Sequence, residues 1–252
     1  MYKIGRYLPL LLLICAWQIL CSLGVVASYF LPSPSEILSG FWALLTVGMP
    51  PGHLLYYHVI YSLYRVTLGF SVACALAIPL GLLMGWFPRL HGCLSPIIEI
   101  IRPIPPLAWI PIAIVWLGIG ISSAAFIIFL GAFFPILLNT VSGVASINPI
   151  LIDAIRTLNA TQRDIFFKVL VPGSLPSIFV GMRVGMGVAW MTLVAAEFTG
   201  VKEGYGLGFM IMTARDIQRP DEILAGMFVI GIIGFFIDWS FKAWESTIRP
   251  WK

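Results

Sequence analysis

Long uncharged apolar stretches dominate the chain, and the longest covers residues 103–152 without a single Asp, Glu, Lys or Arg. A bilayer core about 30 Å thick is crossed by about 20 apolar residues in a helix. This stretch therefore predicts two membrane spans joined at the turn 118–120. Applied to the whole chain, the same pattern predicts an all-α polytopic membrane protein with about six transmembrane helices, at residues 8–30, 63–86, 97–118, 122–146, 173–198 and 221–242.

Prolines are concentrated in and just before the third predicted span. They are Pro96, Pro103, Pro105, Pro106 and Pro111. Each proline removes a backbone donor and clashes with the preceding turn, so this span cannot be one straight helix. Broken backbone at membrane depth is stable only where protein or a water-lined cavity covers it. We therefore expect the third span to line the interior of the protein.

A charged segment from Asp153 to Lys168 interrupts the apolar pattern between two predicted spans. The first part is a short helix with an apolar side made by Ile150, Ile152, Ala154, Ile155 and Leu158. Thr161 is placed to cap a second short helix, which Pro172 is predicted to end. The apolar face of that second helix is made by Ile165, Phe166, Val169 and Leu170. The pattern predicts a helix–turn–helix elbow, which is either a docking point for another protein or a surface connection without a partner.

Composition and charge place the chain in the membrane and orient it. The sequence is 60% hydrophobic and 10% charged, which leaves no room for a sizeable soluble domain and gives no indication of nucleic-acid binding. With the N-terminus inside, nine Lys and Arg residues lie on the inner side and three on the outer side. The positive-inside rule then places both termini and the elbow in the cytoplasm, in a bacterial-type cytoplasmic (inner) membrane.

The hydropathy also suggests a division of the chain into two regions. Residues 1–60 hold the first transmembrane helix and an extracytoplasmic amphipathic segment, and the first helix is too long for the apolar core of a signal peptide. Residues 61–252 hold a core of about five transmembrane helices, and this core contains the elbow loop 149–172.

The familiar motifs of ATP hydrolysis and metal catalysis are missing from the sequence. It contains no GxxxxGK[ST] and no HExxH, and none of the three histidines has metal-ligand spacing with another ligand. We therefore predict neither an enzyme nor a metal site. A self-sufficient secondary transporter or channel is the alternative, although internal repeats and intramembrane ion ligands, which such proteins use, are not evident. Membrane enzymes rank third, because no polar catalytic cluster lies in the spans.

The elbow resembles the "EAA" loop of permease subunits from ATP-binding-cassette (ABC) importers. That loop reads Glu-Ala-Ala, three residues, Gly, nine residues, then Ile-x-Leu-Pro. Here Asp153-Ala154-Ile155 stands for Glu-Ala-Ala, Asn159 occupies the glycine position, and Val169, Val171 and Pro172 fill the closing positions. Asparagine is among the few non-glycine residues that adopt a left-handed backbone, so the replacement is physically tolerable.

Further segments resemble the taurine, alkanesulfonate, nitrate and bicarbonate permease group, closest to its taurine and sulfonate branch. They are Arg102-Pro-Ile-Pro-Pro-Leu-Ala-Trp109, Trp116-Leu-Gly-Ile-Gly120, Gly187-Val-Ala-Trp190, Leu193-Val-Ala-Ala-Glu197, Gly206-Leu-Gly-Phe209 and Leu224-Ala-Gly226. The resemblance implies a type I ABC importer transmembrane fold that forms half a translocation pathway. A taurine-like or sulfonate anion is the substrate favoured by this resemblance, with nitrate or bicarbonate as alternatives.

The same resemblance implies partners and a coupling role for the elbow. The partners are a second copy of the chain, two cytoplasmic P-loop ATPases, an extracytoplasmic binding protein and membrane lipid. ATP and Mg²⁺ belong to the ATPases, and no cofactor is expected on this chain. The residues expected to couple to the ATPase are Asp153, Ala154, Ile155, Leu158, Asn159, Arg163, Val169 and Pro172.

Candidate pathway residues lie mainly on the third and fifth predicted spans. They are Arg102, Trp109, Asn139, Ser142, Arg183, Trp190 and Glu197. Charge complementarity with an anionic substrate favours Arg102 or Arg183 facing the cavity. For Arg102 the alternative is an internal ion pair with Glu99, three residues earlier on the same helix face. For Glu197 two interpretations stay open, a gate or pathway residue and an interfacial carboxylate in water.

Overall fold

The computed structural model describes residues 8–49, 52–198 and 204–248, and this part of the chain is almost entirely helical. A 3₁₀ turn at Pro106–Trp109 and a π turn at Phe166–Leu170 accompany the α-helices. The α-helices are α1 Leu8–Ser22, α2 Pro34–Thr46, α3 Leu55–Trp86, α4 Pro88–Ile101, α5 Ile110–Leu117, α6 Ile121–Ala145, α7 Pro149–Thr157, α8 Gln162–Ile165, α9 Val171–Phe198, α10 Leu207–Asp216 and α11 Pro220–Ile248. The predicted all-α polytopic fold is confirmed.

Four stretches are long and apolar enough to cross a bilayer. They are α3, α6, the continuous helical stretch Gln162–Phe198, and Pro220–Glu245 of α11. A fifth span is formed if Pro88–Ile101 and Pro106–Leu117 are counted together, and these two helices are bent by 82°. The prolines therefore break the third predicted span as expected. Within the described residues, the structure has four spans, or five with the bent pair, against the six predicted.

The first predicted span, 8–30, is shorter than hydropathy indicated. Helix α1 has 15 residues, about 22 Å at 1.5 Å per residue, and ends at Ser22. Gly24 follows with φ +71°, the amide of Val25 donates to Leu20 O, and that of Gly24 donates to Cys21 O. This is a Schellman cap, which stops a helix whatever the polarity of the residues beyond it. Hydropathy missed the stop because the following residues are apolar.

The chain divides into two compact units, which are described separately. One comprises residues 1–62 and 203–233, and the other comprises 63–202 and 234–252. Our division into residues 1–60 and 61–252 was made from hydropathy along the sequence, and it stays a prediction.

In the first unit, polar contacts connect the start of α3 to the turn before α10. The Nδ1 atom of His58 lies 2.9 Å from Gly206 O, and the Ser62 hydroxyl accepts a 2.9 Å hydrogen bond from the amide of Leu207. The Tyr205 ring stacks on Tyr61 at 4.7 Å and lies 4.1 Å from His53. His53, His58 and Tyr61 all belong to the aromatic stretch of residues 53–64. In the structure they surround one tyrosine and fix this turn.

The second unit is built on close helix packing through small residues. A Cβ atom placed on Gly81 of α3 would lie 2.7 Å from the Cβ atom of Thr140 on α6. One placed on Gly185 of α9 would lie 3.0 Å from the carbonyl oxygen of Ala132 on α6. In a bilayer, where hydrophobic burial drives helix association only weakly, such close approach supplies the packing energy. The α3, α6 and α9 helices therefore form the core that positions the features described below.

Candidate functional site

The elbow begins with α7, one side of which packs on the helical core. Asn148 caps the helix, its side chain accepting a 3.0 Å hydrogen bond from the amide of Ile150. Ile152 and Ile155 pack against a buried cluster formed by Leu82, Val144, Ile165, Leu170 and Ile178. Other apolar side chains of the predicted face are exposed: Ile150 of α7 is 71% exposed, and Leu158, which caps the end of α7, is 80% exposed. The predicted apolar side is therefore buried in part and exposed in part.

Asn159 makes the turn of the elbow in the left-handed conformation, with φ +60°. Its amide donates to Arg156 O at 3.0 Å, and the amide of Ala160 donates to Ile155 O at 3.3 Å. These two bonds form a Schellman motif, whose left-handed position is usually glycine. The asparagine thus adopts the left-handed conformation expected at the position where the "EAA" loop has glycine.

Thr161 caps α8, as predicted. The amide of Asp164 donates to the Thr161 hydroxyl at 3.2 Å, while the amide of Thr161 donates to the Asp164 carboxylate at 3.1 Å. This reciprocal capping box satisfies two amides at the start of the helix. Beyond it, Ile165 is fully buried, which attaches the elbow to the core and is worth about 1.5–3 kcal/mol relative to exposure in water.

Pro172 does not end the second helix of the elbow, and this prediction was wrong. The π turn Phe166–Leu170 leads directly into α9, and the amide of Val171 bonds to Phe166 O, five residues back. A proline ring clashes with the carbonyl four residues before it in an α-helix. The wider π turn changes this spacing and lets the helix continue. The elbow and the membrane helix α9 are therefore one continuous helical stretch.

The remaining coupling candidates lie at different depths. Asp153 and Ala154 are exposed, and the Asp153 carboxylate lies 3.3 Å from Arg156 Nη1. Val169 is half-buried and Pro172 is exposed. Arg163 lines a groove of about 360 Å³ together with Leu83, Trp86, Phe87, Gln162, Phe166 and Phe167. The elbow thus has an exposed surface with apolar residues, charges and a shallow groove.

The elbow turn gives a direct test of backbone conformation. Asn159→Val should expose the turn to protease, because a left-handed backbone costs an L-residue about 1–2 kcal/mol and a β-branched side chain tolerates it poorly. Limited trypsin digestion of the purified protein should show faster cleavage beside the turn, after Arg156 or Arg163. Asn159→Gly is the matched control and should be as resistant as the original protein. Equal cleavage of all three proteins would contradict the assigned role of this residue.

A cavity of about 430 Å³ lies between the broken third span, α6 and α9. It brings together three of the predicted pathway residues: Arg102, Trp109 and Asn139. The rest of its lining is almost entirely apolar: Ile104, Pro106, Leu130, Gly131, Phe134, Pro135, Leu138, Val184 and Val188. The irregular backbone after α4 faces this cavity, as expected for broken backbone at membrane depth.

The polar groups of the cavity are few and only partly engaged. The side-chain amide of Asn139 donates a 2.8 Å hydrogen bond to Pro135 O, which uses one of its two N–H donors. Arg102 is exposed at the end of α4 and has no ion-pair partner among the residues that the structure describes. Trp109 is half-buried and packs partly on the cluster around Ala113 and Ile127. The cavity therefore combines one cation, one amide and aromatic surface.

Four other pathway candidates lie outside the lining of this cavity. Ser142 is exposed on α6, and Trp190 is buried against Gly234 of α11. Arg183 was a candidate cation for the cavity, but its Nε donates to Asp238 at 2.7 Å and its Nη1 lies 3.7 Å from Glu245. Glu197 is fully buried and pairs with Arg65 at 2.9 Å, so it is not a carboxylate in water. Glu197 thus neutralises a charge within the helical core, and Arg183 forms a partly exposed ion pair with α11.

Sequence reasoning missed the partner of Glu197. Arg65 belongs to α3, is completely buried, and joins this helix to the end of α9. The available signal was one arginine and one glutamate of opposite charge in two apolar helices, since intramembrane charges usually pair. Their separation of 132 residues gave no indication that they meet.

These observations define a class: a polytopic membrane subunit with a cavity between broken and continuous spans, and an elbow joined to one of those spans. Residues 77–250, well over half of the chain, match the family described as "Binding-protein-dependent transport system inner membrane component". The chain belongs to this family and is a permease subunit of the ABC transporter type.

Two curated relatives and one solved structure illustrate the similarity. A putative ABC transporter permease protein of Methanocaldococcus jannaschii, MJ0413, is 47% identical over 77% of this chain and 73% of its own length. The taurine transport system permease protein TauC of Escherichia coli K12 is 38% identical over 96% of this chain and 87% of its own. The inward-facing MetNI methionine ABC transporter is 21% identical, with a TM-score of 0.63 over 86% of this chain and 98% of that chain. The last similarity concerns the fold and confirms the type I importer architecture.

Proposed function

We propose that the chain forms half of the translocation pathway of an ATP-driven importer for a small anion. Two copies make the pathway, two cytoplasmic P-loop ATPases drive it, and an extracytoplasmic binding protein delivers the substrate. ATP and Mg²⁺ are held by the ATPases, and this chain contributes no catalytic group or cofactor. The observation that carries the proposal is the elbow, in which some apolar side chains pack on the core while others stay exposed.

The exposed side of the elbow is the surface proposed to contact the ATPase. Leu151 is 55% exposed and Phe167 is 61% exposed, in addition to Ile150 and Leu158. Several exposed apolar side chains within one short segment are typical of a protein interface. Asp153 and Arg163 lie on the same elbow and add polar contacts at its rim. The segment from Asp153 to Pro172 resembles the "EAA" loop. It thus includes residues that pack the elbow on the core and residues proposed to contact the ATPase.

Movement of the elbow would reach the cavity through a single helix. The helical stretch that starts at Gln162 continues to Phe198, and it carries the cavity residues Val184 and Val188. When the ATPases close on ATP, a displaced elbow therefore tilts the wall of the cavity and exposes it to the other side of the membrane. The distribution of Lys and Arg supports an elbow and both termini in the cytoplasm.

Substrate choice rests on the binding protein, and similarity to TauC favours a sulfonate such as taurine. Nitrate and bicarbonate are alternatives within the group that the sequence resembles. The ligand can be identified by thermal-shift measurements on the partner binding protein with sulfonates, nitrate, bicarbonate and heterocyclic nutrients. A shift with a sulfonate, zwitterionic taurine included, supports the proposal, whereas a shift with only compounds that lack an anionic group contradicts it.

The coupling role of the elbow is tested with Leu158→Asp. A charge at the centre of an apolar contact must be desolvated, so we expect at least a tenfold loss of substrate uptake and of ATPase stimulation, about 1.4 kcal/mol or more. The amount of protein in the membrane should stay unchanged, because Leu158 is 80% exposed.

Val47→Asp is the matched control for this experiment. Val47 is 73% exposed and lies at the end of α2, away from the elbow in the sequence. This variant should keep both activities and should still co-purify with the ATPase. In parallel, a cysteine at position 158 should cross-link to the ATPase. Normal uptake by Leu158→Asp, or no cross-link in the assembled complex, would contradict the proposal.

A further inference from the structure

Arg102 differs from Arg65 and Arg183, two arginines that lie within the long apolar helices α3 and α9. Arg65 pairs with Glu197, and Arg183 pairs with Asp238 and Glu245. Arg102 instead lines the cavity, and within the described ranges no carboxylate lies at ion-pair distance from it. Among the described residues, those that line the cavity include no Asp or Glu. A cation facing an otherwise uncharged cavity attracts negative charge into it.

The neighbouring groups suit a small oxyanion. A guanidinium group presents a planar fork of N–H donors, which matches two oxygens of a carboxylate, sulfonate or nitrate. The second N–H of Asn139 is available for another oxygen, since the first is bonded to Pro135 O. Around them, Phe134, Val184 and Val188 provide apolar walls.

We propose that this cavity is an anion transit site, in which Arg102 binds the head group of a compact monoanionic oxyanion during import. The role of the site in import rests on the proposed function, whereas the residues that form the site all belong to this chain. A single cation and a single amide make a weak site. Weak binding suits a transport pathway, because the solute must leave as readily as it enters.

The aromatic surface of the cavity adds a distinction between possible solutes. The ring of Trp109 offers a π face, which attracts an ammonium group. A zwitterion such as taurine would therefore place its sulfonate on Arg102 and its ammonium near Trp109. A simple anion such as nitrate would use only the guanidinium and the amide.

The test measures the charge preference of the cavity with two thiol reagents of similar size. One is 2-sulfonatoethyl methanethiosulfonate, an anion that resembles an alkanesulfonate. The other is 2-(trimethylammonio)ethyl methanethiosulfonate, a cation. Cys15, Cys21, Cys74 and Cys93 are first replaced by serine. Val184→Cys then places a reactive thiol in the cavity lining, where the native side chain is 49% exposed.

Ser142→Cys provides the matched control thiol, because Ser142 is exposed on α6 but does not line the cavity. The ratio of anion to cation reaction rates should be higher at position 184 than at position 142. Arg102→Gln should lower the ratio at position 184 about tenfold, the low end of the effect of a charged cleft on local ion concentration. Arg102→Lys keeps the positive charge and should therefore keep the ratio. This variant also controls for any effect of substitution at position 102 on folding. The ratio at position 142 should change in neither variant.

Two results of this comparison of rates would overturn the proposal. One is an unchanged ratio at position 184 in Arg102→Gln, and the other is an equal change at positions 184 and 142. The measurement is made first in a nonionic detergent and then in nanodiscs that contain anionic lipid. Loss of the anion preference only in those nanodiscs would assign Arg102 to lipid phosphate and would also overturn the transit site. Because neither reagent needs the ATPase, failure here leaves the elbow experiments unaffected, and failure of those experiments leaves this one valid.

Discussion

Glu197→Gln should lower the free energy of unfolding by about 3–5 kcal/mol, because it leaves the buried guanidinium of Arg65 without its carboxylate. The two side chains are both fully buried, and their charged atoms lie 2.9 Å apart. The loss should appear as less protein in the membrane and a markedly lower temperature at which the purified protein aggregates. Fluorescence-detected size-exclusion chromatography after stepwise heating measures both quantities.

The exposed pair between Asp153 and Arg156 is the control for this result. The Asp153 side chain is 70% exposed and the charged atoms lie 3.3 Å apart. Exposed pairs contribute about 0–1 kcal/mol, so Asp153→Asn should leave the aggregation temperature nearly unchanged. The exchange variant with Arg65→Glu and Glu197→Arg should recover part of the stability lost in the single variant. Equal effects of Glu197→Gln and Asp153→Asn would show that the buried pair is not a stabilising contact between α3 and α9.

Gly185→Ala should destabilise the protein by about 1–3 kcal/mol through overpacking of the contact between α9 and α6. The added methyl group would lie 2.9 Å from Ile136 Cγ1 and 3.0 Å from the carbonyl oxygen of Ala132. The isoleucine side chain can rotate, but a backbone carbonyl in the middle of α6 cannot move without shifting the helix. The same heating experiment should show a lower aggregation temperature and a broader elution peak.

Gly187 lies two residues further along α9 and gives a matched comparison. A Cβ atom placed there meets nothing within 4 Å. Alanine in a helix interior is favoured over glycine by about 1 kcal/mol, so Gly187→Ala should be neutral or slightly stabilising. Opposite effects of one methyl group at these two positions would identify the close approach of α6 and α9 as the cause. A similar loss at both positions would contradict it.

Local features of the elbow were predictable from sequence because their causes are local. The Thr161 hydroxyl accepts a hydrogen bond from the Asp164 amide within its own turn, and asparagine tolerates the left-handed conformation that the turn at position 159 requires. The break in the third span was predictable for the same reason, since each proline disrupts the turn in which it stands. The cavity was predicted in part: Arg102, Trp109 and Asn139 do meet, as the proline-rich span suggested.

Other features depend on contacts that the sequence does not display. The pairing of Arg65 with Glu197 requires two helices that are far apart in the chain to be neighbours. Hydropathy placed the end of the first span too late, because a glycine cap stops α1 inside an apolar segment. Pro172 in the sequence predicts a helix end, but the π turn before it lets the helix continue. In each of these cases, backbone geometry or long-range packing outweighed the local preference.

The continuity of the helical stretch Gln162–Phe198 limits how this chain can change length. Each residue in an α-helix turns the following side chains by about 100°. One residue inserted or deleted between the elbow and Val184 would therefore rotate Val184 and Val188 away from the cavity, even though every residue type stayed the same. The number of residues between the elbow and the cavity therefore fixes which side chains face the cavity. Insertions and deletions that keep this orientation belong in the non-helical connections of the chain.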